Sequence, residues 1–119
     1  LDLDCQKKVR TQVIGGGVSF VRCKLQYAYF APADYQESRF EGCDLRDATL
    51  SGCDLRYSSL RGSCLNNCDL SGATLDHADL SHATFDEIDL QSMQSFHAAL
   101  VTRDQHEALV TSLGLRTAD

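Results

Sequence analysis

Large apolar side chains recur at every fifth position through most of the chain. From Val18 to Ser92 the sequence divides into fifteen units of five residues, and the third residue of each unit is large and apolar. These third positions are Phe20, Leu25, Phe30, Tyr35, Phe40, Leu45, Leu50, Leu55, Leu60, Leu65, Leu70, Leu75, Leu80, Phe85 and Leu90. Such a short period fixes the architecture of the whole segment.

The first position of each unit carries a second, smaller set of side chains. This set comprises Val18, Cys23, Ala28, Ala33, Ser38, Cys43, Ala48, Cys53, Ser58, Ser63, Cys68, Ala73, Ala78, Ala83 and Ile88. Residues five apart stand about 140° out of register on a helix, and a regular strand alternates with period two. The pattern therefore predicts a short extended piece with two inward side chains, followed by a corner, repeated along the chain.

Several units share one motif. They are Cys43-Asp44-Leu45-Arg46-Asp47, Cys53-Asp54-Leu55-Arg56-Tyr57, Cys68-Asp69-Leu70-Ser71-Gly72 and Ala78-Asp79-Leu80-Ser81-His82. They resemble the A-(D/N)-L-x-x motif of pentapeptide-repeat proteins. The resemblance implies an all-β fold, a right-handed quadrilateral β-helix with four units per coil and about four coils. Residues 20 apart would then stack, with Phe20, Phe40, Leu60 and Leu80 on one face and Leu25, Leu45, Leu65 and Phe85 on the next.

The six cysteines fall into two groups. Cys23, Cys43, Cys53 and Cys68 occupy the small inward position, where a thiol packs as a small apolar group, and a redox or metal role is the alternative. Cys43 and Cys53 would face opposite walls, which argues against a disulfide between them. Cys64, at an outward position, and Cys5, outside the repeat, are the candidates for exposed thiols. A reducing compartment suits this set.

The two flanks of the repeat should close the open edges of a β-helix. We expect a lead-in over residues 1–17, the β-helix over 18–92 and a helical cap over 93–119. Thr102-Arg103-Asp104-Gln105 is typical of a capping box, and it predicts a helix that ends before Gly114. Its apolar stripe of Leu109, Val110, Leu113 and Leu115 either covers the last coil or also joins a second copy of the chain.

Composition and charge narrow the classes of partner. The chain has 119 residues, 17 acidic against 11 basic, and a formal net charge of −6. That balance disfavours direct binding to nucleic acid, which depends on neutralising phosphates. No apolar stretch reaches the length of a membrane span, so we expect a soluble, cytoplasmic protein with no membrane partner.

No residue pattern indicates catalysis, a cofactor or a bound metal. A solenoid filled by its own side chains offers no concave site, and the motifs of common hydrolases and zinc sites are missing from the sequence. The chain is therefore expected not to be an enzyme. His77 and His97 are 20 apart and should stack above Tyr57, either as a surface metal site or as solvated corner residues.

Acidic residues are concentrated in the later units. Six of them occur in a stretch with no Lys or Arg, namely Asp69, Asp76, Asp79, Asp86, Glu87 and Asp89. As one acidic wall they would attract a basic groove of a partner protein. The alternative is that they only solvate the sheet.

The C-terminal part carries a second resemblance. Asp89-Leu90-Gln91, followed by Gln105, Leu109, Leu113 and Gly114-Leu115, is similar to the ending of the Qnr quinolone-resistance proteins. That resemblance implies mimicry of double-stranded DNA, binding to DNA gyrase or topoisomerase IV, and a homodimer joined through C-terminal helices. Two hypotheses follow: a non-enzymatic protein-interaction or structural module, and a DNA mimic that protects a topoisomerase from quinolones.

Overall fold

Two short strands establish how the chain returns on itself. The computed structural model describes residues 17–118. Strand β1 (Ser19–Val21) pairs in parallel with strand β2 (Arg39–Glu41), and Phe20 lies opposite Phe40. Partners in this pair are 20 residues apart, so the chain completes one coil in that length. The stacking predicted from the five-residue period is confirmed for this face.

The same spacing continues around the molecule as four ladders of parallel backbone pairs. Every ladder residue is the second residue of its unit, and we name the four faces by their ladders. Face A carries Ser19, Arg39, Ser59 and Asp79, face B carries Lys24, Asp44, Cys64 and Thr84, face C carries Tyr29, Thr49 and Asp69, and face D carries Asp34, Asp54 and Thr74. Successive units therefore face successive directions.

The corners between faces are tight turns. The amide of Ala28 donates to the carbonyl of Leu25 at 3.0 Å, and Tyr27, just before Ala28, has a φ of 61°. A positive φ at the third residue of such a turn is the signature of type II geometry. Glycine provides it without strain at Gly42, Gly52, Gly62 and Gly72, whereas Asp47, Tyr57 and His77 adopt it as non-glycine residues.

The interior is filled by the two apolar positions of each unit. The third-position residues from Phe20 to Leu90 are buried, apart from Phe85, which is half-buried. The rings of Phe20 and Phe40 stack with centroids 5.1 Å apart. Most first-position side chains are buried as well, but Ala28, Cys68 and Ile88 are half-buried and Ala33 is exposed. The core is thus a narrow, closed column of side chains along most of the described length.

The pairing changes register near the C-terminal end. Thr74 pairs with Ser95 and Asp79 pairs with Leu100, so the partners are 21 residues apart instead of 20. One extra residue is accommodated between Thr84 and Ser95, where a 3₁₀ helix (Leu90–Ser92) interrupts face C. The ladders thus extend to Leu100, and the boundary predicted at Ser92 is too early. The insertion moves the large positions to Phe96 and Val101, so a count in fives stops while the fold continues.

The end of the β-helix is closed by a short helical segment. A second 3₁₀ helix (Arg103–Gln105) leads into helix α1 (His106–Ser112), and Gly114 follows with a φ of 80°. The Gln105 side chain accepts from the amide of Thr102 at 2.7 Å, as the predicted capping box requires. Its amide nitrogen also donates to the carbonyls of Leu80 and Ala83, at 2.7 and 2.8 Å. Gln105 therefore satisfies two backbone groups at the edge of the last coil.

Helix α1 exposes part of its predicted apolar stripe. Leu109 packs against the core and Val110 is half-buried, whereas Leu113 and Leu115 are 44% and 58% exposed. Among residues 17–118, no helix has the length and apolar character needed to cross a membrane. The lead-in expected over residues 1–16, including Cys5, lies outside the described residues.

Candidate interaction surfaces

Charged side chains on the first half of the β-helix are paired with each other. Three ion pairs form within single units: Arg39 with Glu41 at 2.6 Å, Arg46 with Asp44 at 2.7 Å and Arg56 with Asp54 at 2.8 Å. The hydrogen bonds from Arg46 and Arg56 hold the pKa values of Asp44 and Asp54 below their ordinary range. These faces therefore present neutral pairs to solvent.

The six acidic residues singled out in the sequence do not share one wall. Asp69 belongs to the ladder of face C and Asp79 to that of face A. Asp76 follows the face D ladder residue Thr74 in its unit, and Asp86 and Glu87 follow the face B ladder residue Thr84. The single acidic wall is therefore a wrong prediction, because each unit turns to a new face and only residues one full coil apart align.

Several of these carboxylates bind their own backbone. Asp69 accepts from the amide and hydroxyl of Ser71 at 3.0 and 2.6 Å, and Asp79 makes the same contacts with Ser81. Asp76 accepts from the amide of His97 at 2.8 Å. Hydrogen bonds from the Ser71 and Ser95 side chains lower the pKa values of Asp69 and Asp76, respectively. An aspartate at the second position thus stabilises the turn that follows it.

Two cavities lie beside each other where the register changes. Their volumes are about 550 and 560 Å³, and both are lined by Glu87, Ile88 and Ser112. We call the two together the C-terminal groove. Its first cavity has an apolar floor of Leu65, Cys68, Leu70, Phe85, Ile88 and Met93. Helix α1 provides the opposite side through Glu107, Ala108 and Thr111.

Six carboxylate residues line the C-terminal groove. They are Asp69, Asp86, Glu87, Asp89, Asp104 and Glu107, and its lining includes no Lys or Arg. Four of them belong to the acidic set identified in the sequence, whereas Asp76 and Asp79 lie elsewhere. Sequence reasoning missed Asp104 and Glu107. The predicted capping box was the available signal, since it places the first turn of a helix against the last coil.

A column of rings occupies the corner that follows face D. Tyr57 and His77 stack with centroids 4.8 Å apart, and His77 meets His97 edge-on at 5.8 Å. The stacking expected from the 20-residue spacing is confirmed. Within the described part of the chain, no group of three or more His, Cys, Asp or Glu side chains is placed to hold a metal ion.

The thiols differ in exposure as their positions in the unit predict. Cys43 and Cys53 are buried and unpaired, and Cys64 is half-exposed on face B. Burial raises the pKa of Cys53 to about 11 and that of Cys68 to about 12. The buried thiols therefore remain protonated at neutral pH and act as packing groups, as predicted for Cys43 and Cys53.

The repeat, its ladders and its filled interior define a right-handed β-helix of the repeat-protein class. The profile of the family described as pentapeptide repeats matches residues 23–62 and 53–91, in 8 copies. These matches cover more than half of the sequence, so the chain belongs to the pentapeptide repeat family. No curated protein matches the sequence.

Two solved structures share the fold at low sequence identity. One is trypsin-treated QnrB1, described as a plasmid-mediated fluoroquinolone resistance protein, with a TM-score of 0.70 and 17% identity over 86% of this chain. The other is the pentapeptide repeat protein Rfr23 from the cyanobacterium Cyanothece 51142, with a TM-score of 0.53 and 20% identity over 74% of this chain. The match covers 49% of the QnrB1 chain and 58% of the Rfr23 chain. This chain therefore corresponds to about half of each of them.

Proposed function

We propose that this chain is a non-enzymatic protein-interaction or structural module. The observation that carries this proposal is the division of each unit into two inward apolar residues and outward polar ones. Such a column leaves flat walls for contact with a partner and little concave space for a reaction. We further propose a cytoplasmic location, which the unpaired thiols of Cys43 and Cys53 support.

The second candidate is a DNA mimic that binds DNA gyrase or topoisomerase IV and confers protection from quinolones. The fold likeness to QnrB1 and the excess of acidic residues in the later coils favour it. Acidic residues spread over several faces resemble a duplex, which carries phosphates all around its axis. In this candidate the chain competes with DNA and does not bind nucleic acid itself.

A homodimer through the C-terminal helix is part of the same proposal. Leu113 and Leu115 are exposed on the end of the rod, beside Leu109 and Val110. Exposed apolar side chains clustered at one end favour contact with an apolar partner surface. Light scattering at high protein concentration tests this: a dimer mass that reverts to a monomer in Leu113→Asp supports it, and a monomer mass in the parent chain rejects it.

Binding to purified DNA gyrase across a salt series tests the second candidate directly. We expect binding that weakens with added salt and that double-stranded DNA displaces. The triple variant D69N/D79N/D89N should weaken it about tenfold or more, because it removes three charges while keeping an oxygen that accepts the turn hydrogen bonds. The control D34N/E37Q/D47N removes the same number of charges from the first two coils.

The outcomes separate the two candidates. Equal losses in both triple variants would show that only net charge matters, and no binding by the parent chain would reject the DNA mimic. The interaction module is tested by cross-linking a partner to the chain, reconstituting the pair from purified proteins and measuring saturation. Failure of every cross-linked partner to rebind would reject the module.

A further inference from the structure

The C-terminal groove is the part of the described structure where core side chains become accessible. In the regular coils Leu45, Leu50, Leu55 and Leu60 are 0% exposed. In the groove, by contrast, Cys68, Phe85 and Ile88 are only half-buried. The cause is the inserted residue, which ends the face C ladder at Asp69 and leaves the last coil open on that side.

Charge around the groove is uncompensated. In residues 17–118 the carboxylates of Asp86, Glu87 and Glu107 take part in no hydrogen bond or ion pair, whereas Asp44 and Asp54 are held by arginines. Asp86 and Glu87 stand on the corner of the last coil, and Glu107 stands on α1. The groove therefore carries negative charge on both sides of an apolar floor.

We propose that the C-terminal groove binds a basic, amphipathic peptide segment of a partner protein. Apolar side chains of that segment would cover Phe85 and Ile88, and its Lys or Arg side chains would meet the carboxylates at the rim. A nucleic acid would be repelled, and a second copy of this chain also carries a net charge of −6. This inference rests on the proposed interaction function and specifies the chemistry of the partner.

A fluorescent decapeptide of alternating Lys and Leu is the probe, measured by anisotropy with the full chain at moderate salt. We expect saturable binding of one peptide per chain. A decapeptide of alternating Lys and Ser should bind about tenfold more weakly, because it cannot cover the apolar floor. One of alternating Glu and Leu should not bind detectably.

Two pairs of variants locate the binding. E87Q/E107Q removes two groove charges and should weaken the peptide about tenfold, whereas E37Q/D47N removes two charges outside the groove and should change its affinity less than about twofold. Ala108→Trp places a bulky side chain in the groove and should block the peptide, with Ala31→Trp as the exposed control. Circular dichroism confirms that each variant is folded.

Three results would overturn the inference. They are equal losses in E87Q/E107Q and E37Q/D47N, equal affinity for the Lys–Leu and Lys–Ser peptides, and displacement of the Lys–Leu peptide when the chain self-associates in light scattering. Failure here is distinguishable from failure of the proposed function. A partner that binds E87Q/E107Q and Ala108→Trp as tightly as the parent chain would reject the groove and leave the interaction module standing.

Discussion

The regular coils of residues 18–84 and the irregular end of residues 85–113 are built from the same chain chemistry but bury it differently. In the coils every ladder pair is separated by 20 residues and the third-position leucines are fully covered. At the end the pairing shifts to 21 residues, and Phe85 and Ile88 are partly uncovered. Strict repetition thus produces a closed column, and one added residue is enough to open it.

The two regions also differ in how they use charge. Arg39, Arg46 and Arg56 pair with carboxylates of their own units in the coils. The end region has the unpaired carboxylates of Asp86, Glu87 and Glu107 instead. Exposed pairs contribute little to affinity or stability, whereas uncompensated charge of one sign acts on a partner at a distance. The comparison therefore locates stability in the coils and recognition at the end.

The largest expected effect is loss of folding when a charge enters the closed column. Leu65→Asp places a carboxylate at a position that is 3% exposed, and an unpaired charge there costs several kcal/mol. Circular dichroism should show an unfolded chain. Leu113→Asp, at an exposed position of the end region, should remain folded, and a folded Leu65→Asp would contradict the closed column.

Truncation of apolar side chains should separate the two regions by size of effect. Leu50→Ala in a regular coil should lower the free energy of unfolding by about 2–5 kcal/mol, because it leaves a cavity in tight packing. Ile88→Ala at the groove should cost less than about 1.5 kcal/mol, since that side chain is half-buried. Urea unfolding monitored by circular dichroism measures both. Equal losses would remove the distinction between closed and open regions.

The junction between the regions depends on Gln105. Gln105→Ala leaves the carbonyls of Leu80 and Ala83 without their side-chain donor and should cost about 1–3 kcal/mol in unfolding free energy. The matched control is Gln91→Ala, whose side chain makes one exposed bond to the carbonyl of Ser112 and should change stability by less than about 0.5 kcal/mol. Thermal unfolding of the two variants tests this order.

The smallest effect should come from acid titration of the paired carboxylates in the coils. The pKa values of Asp44 and Asp54 are lowered in the folded chain, so their contribution is present above the unfolded pKa near 4 and is lost as pH falls through the folded values. Asp54→Asn should abolish its share, about 0.2–1 kcal/mol, at pH 7 and change little at pH 2. Melting temperatures across this pH range provide the measurement. A loss that is equal at both pH values would exclude the ion pair as the cause.

Much of the fold follows from the sequence because the period of five divides the 20-residue coil. The opposition of Phe20 and Phe40 and the column of Tyr57, His77 and His97 could be predicted from spacing alone. The Gln105 capping contact to Thr102 was predictable as a local motif. Its bonds to Leu80 and Ala83 were not, because they join residues more than 20 positions apart.

The candidate site was less accessible to sequence reasoning. The acidic stretch was evident, but its assignment to one wall ignored the quarter turn between consecutive units. The groove brings Glu87 together with Glu107, and that proximity depends on how α1 settles beside the inserted residue. An insertion of one residue is visible in the printed sequence only after the ladders show that the repeat resumes at Phe96.

The constant offset of the ladders has an evolutionary consequence. A residue and its partner one coil later occupy equivalent places, so duplicating or deleting a 20-residue stretch within the regular coils rejoins the chain in phase. The rod can therefore change length over generations without altering either terminus. Beyond Thr84 the phase differs by one, and an exchange that spans this point would misalign every later rung. Growth is permitted on one side of the inserted residue, which leaves the recognition end intact while the shaft lengthens.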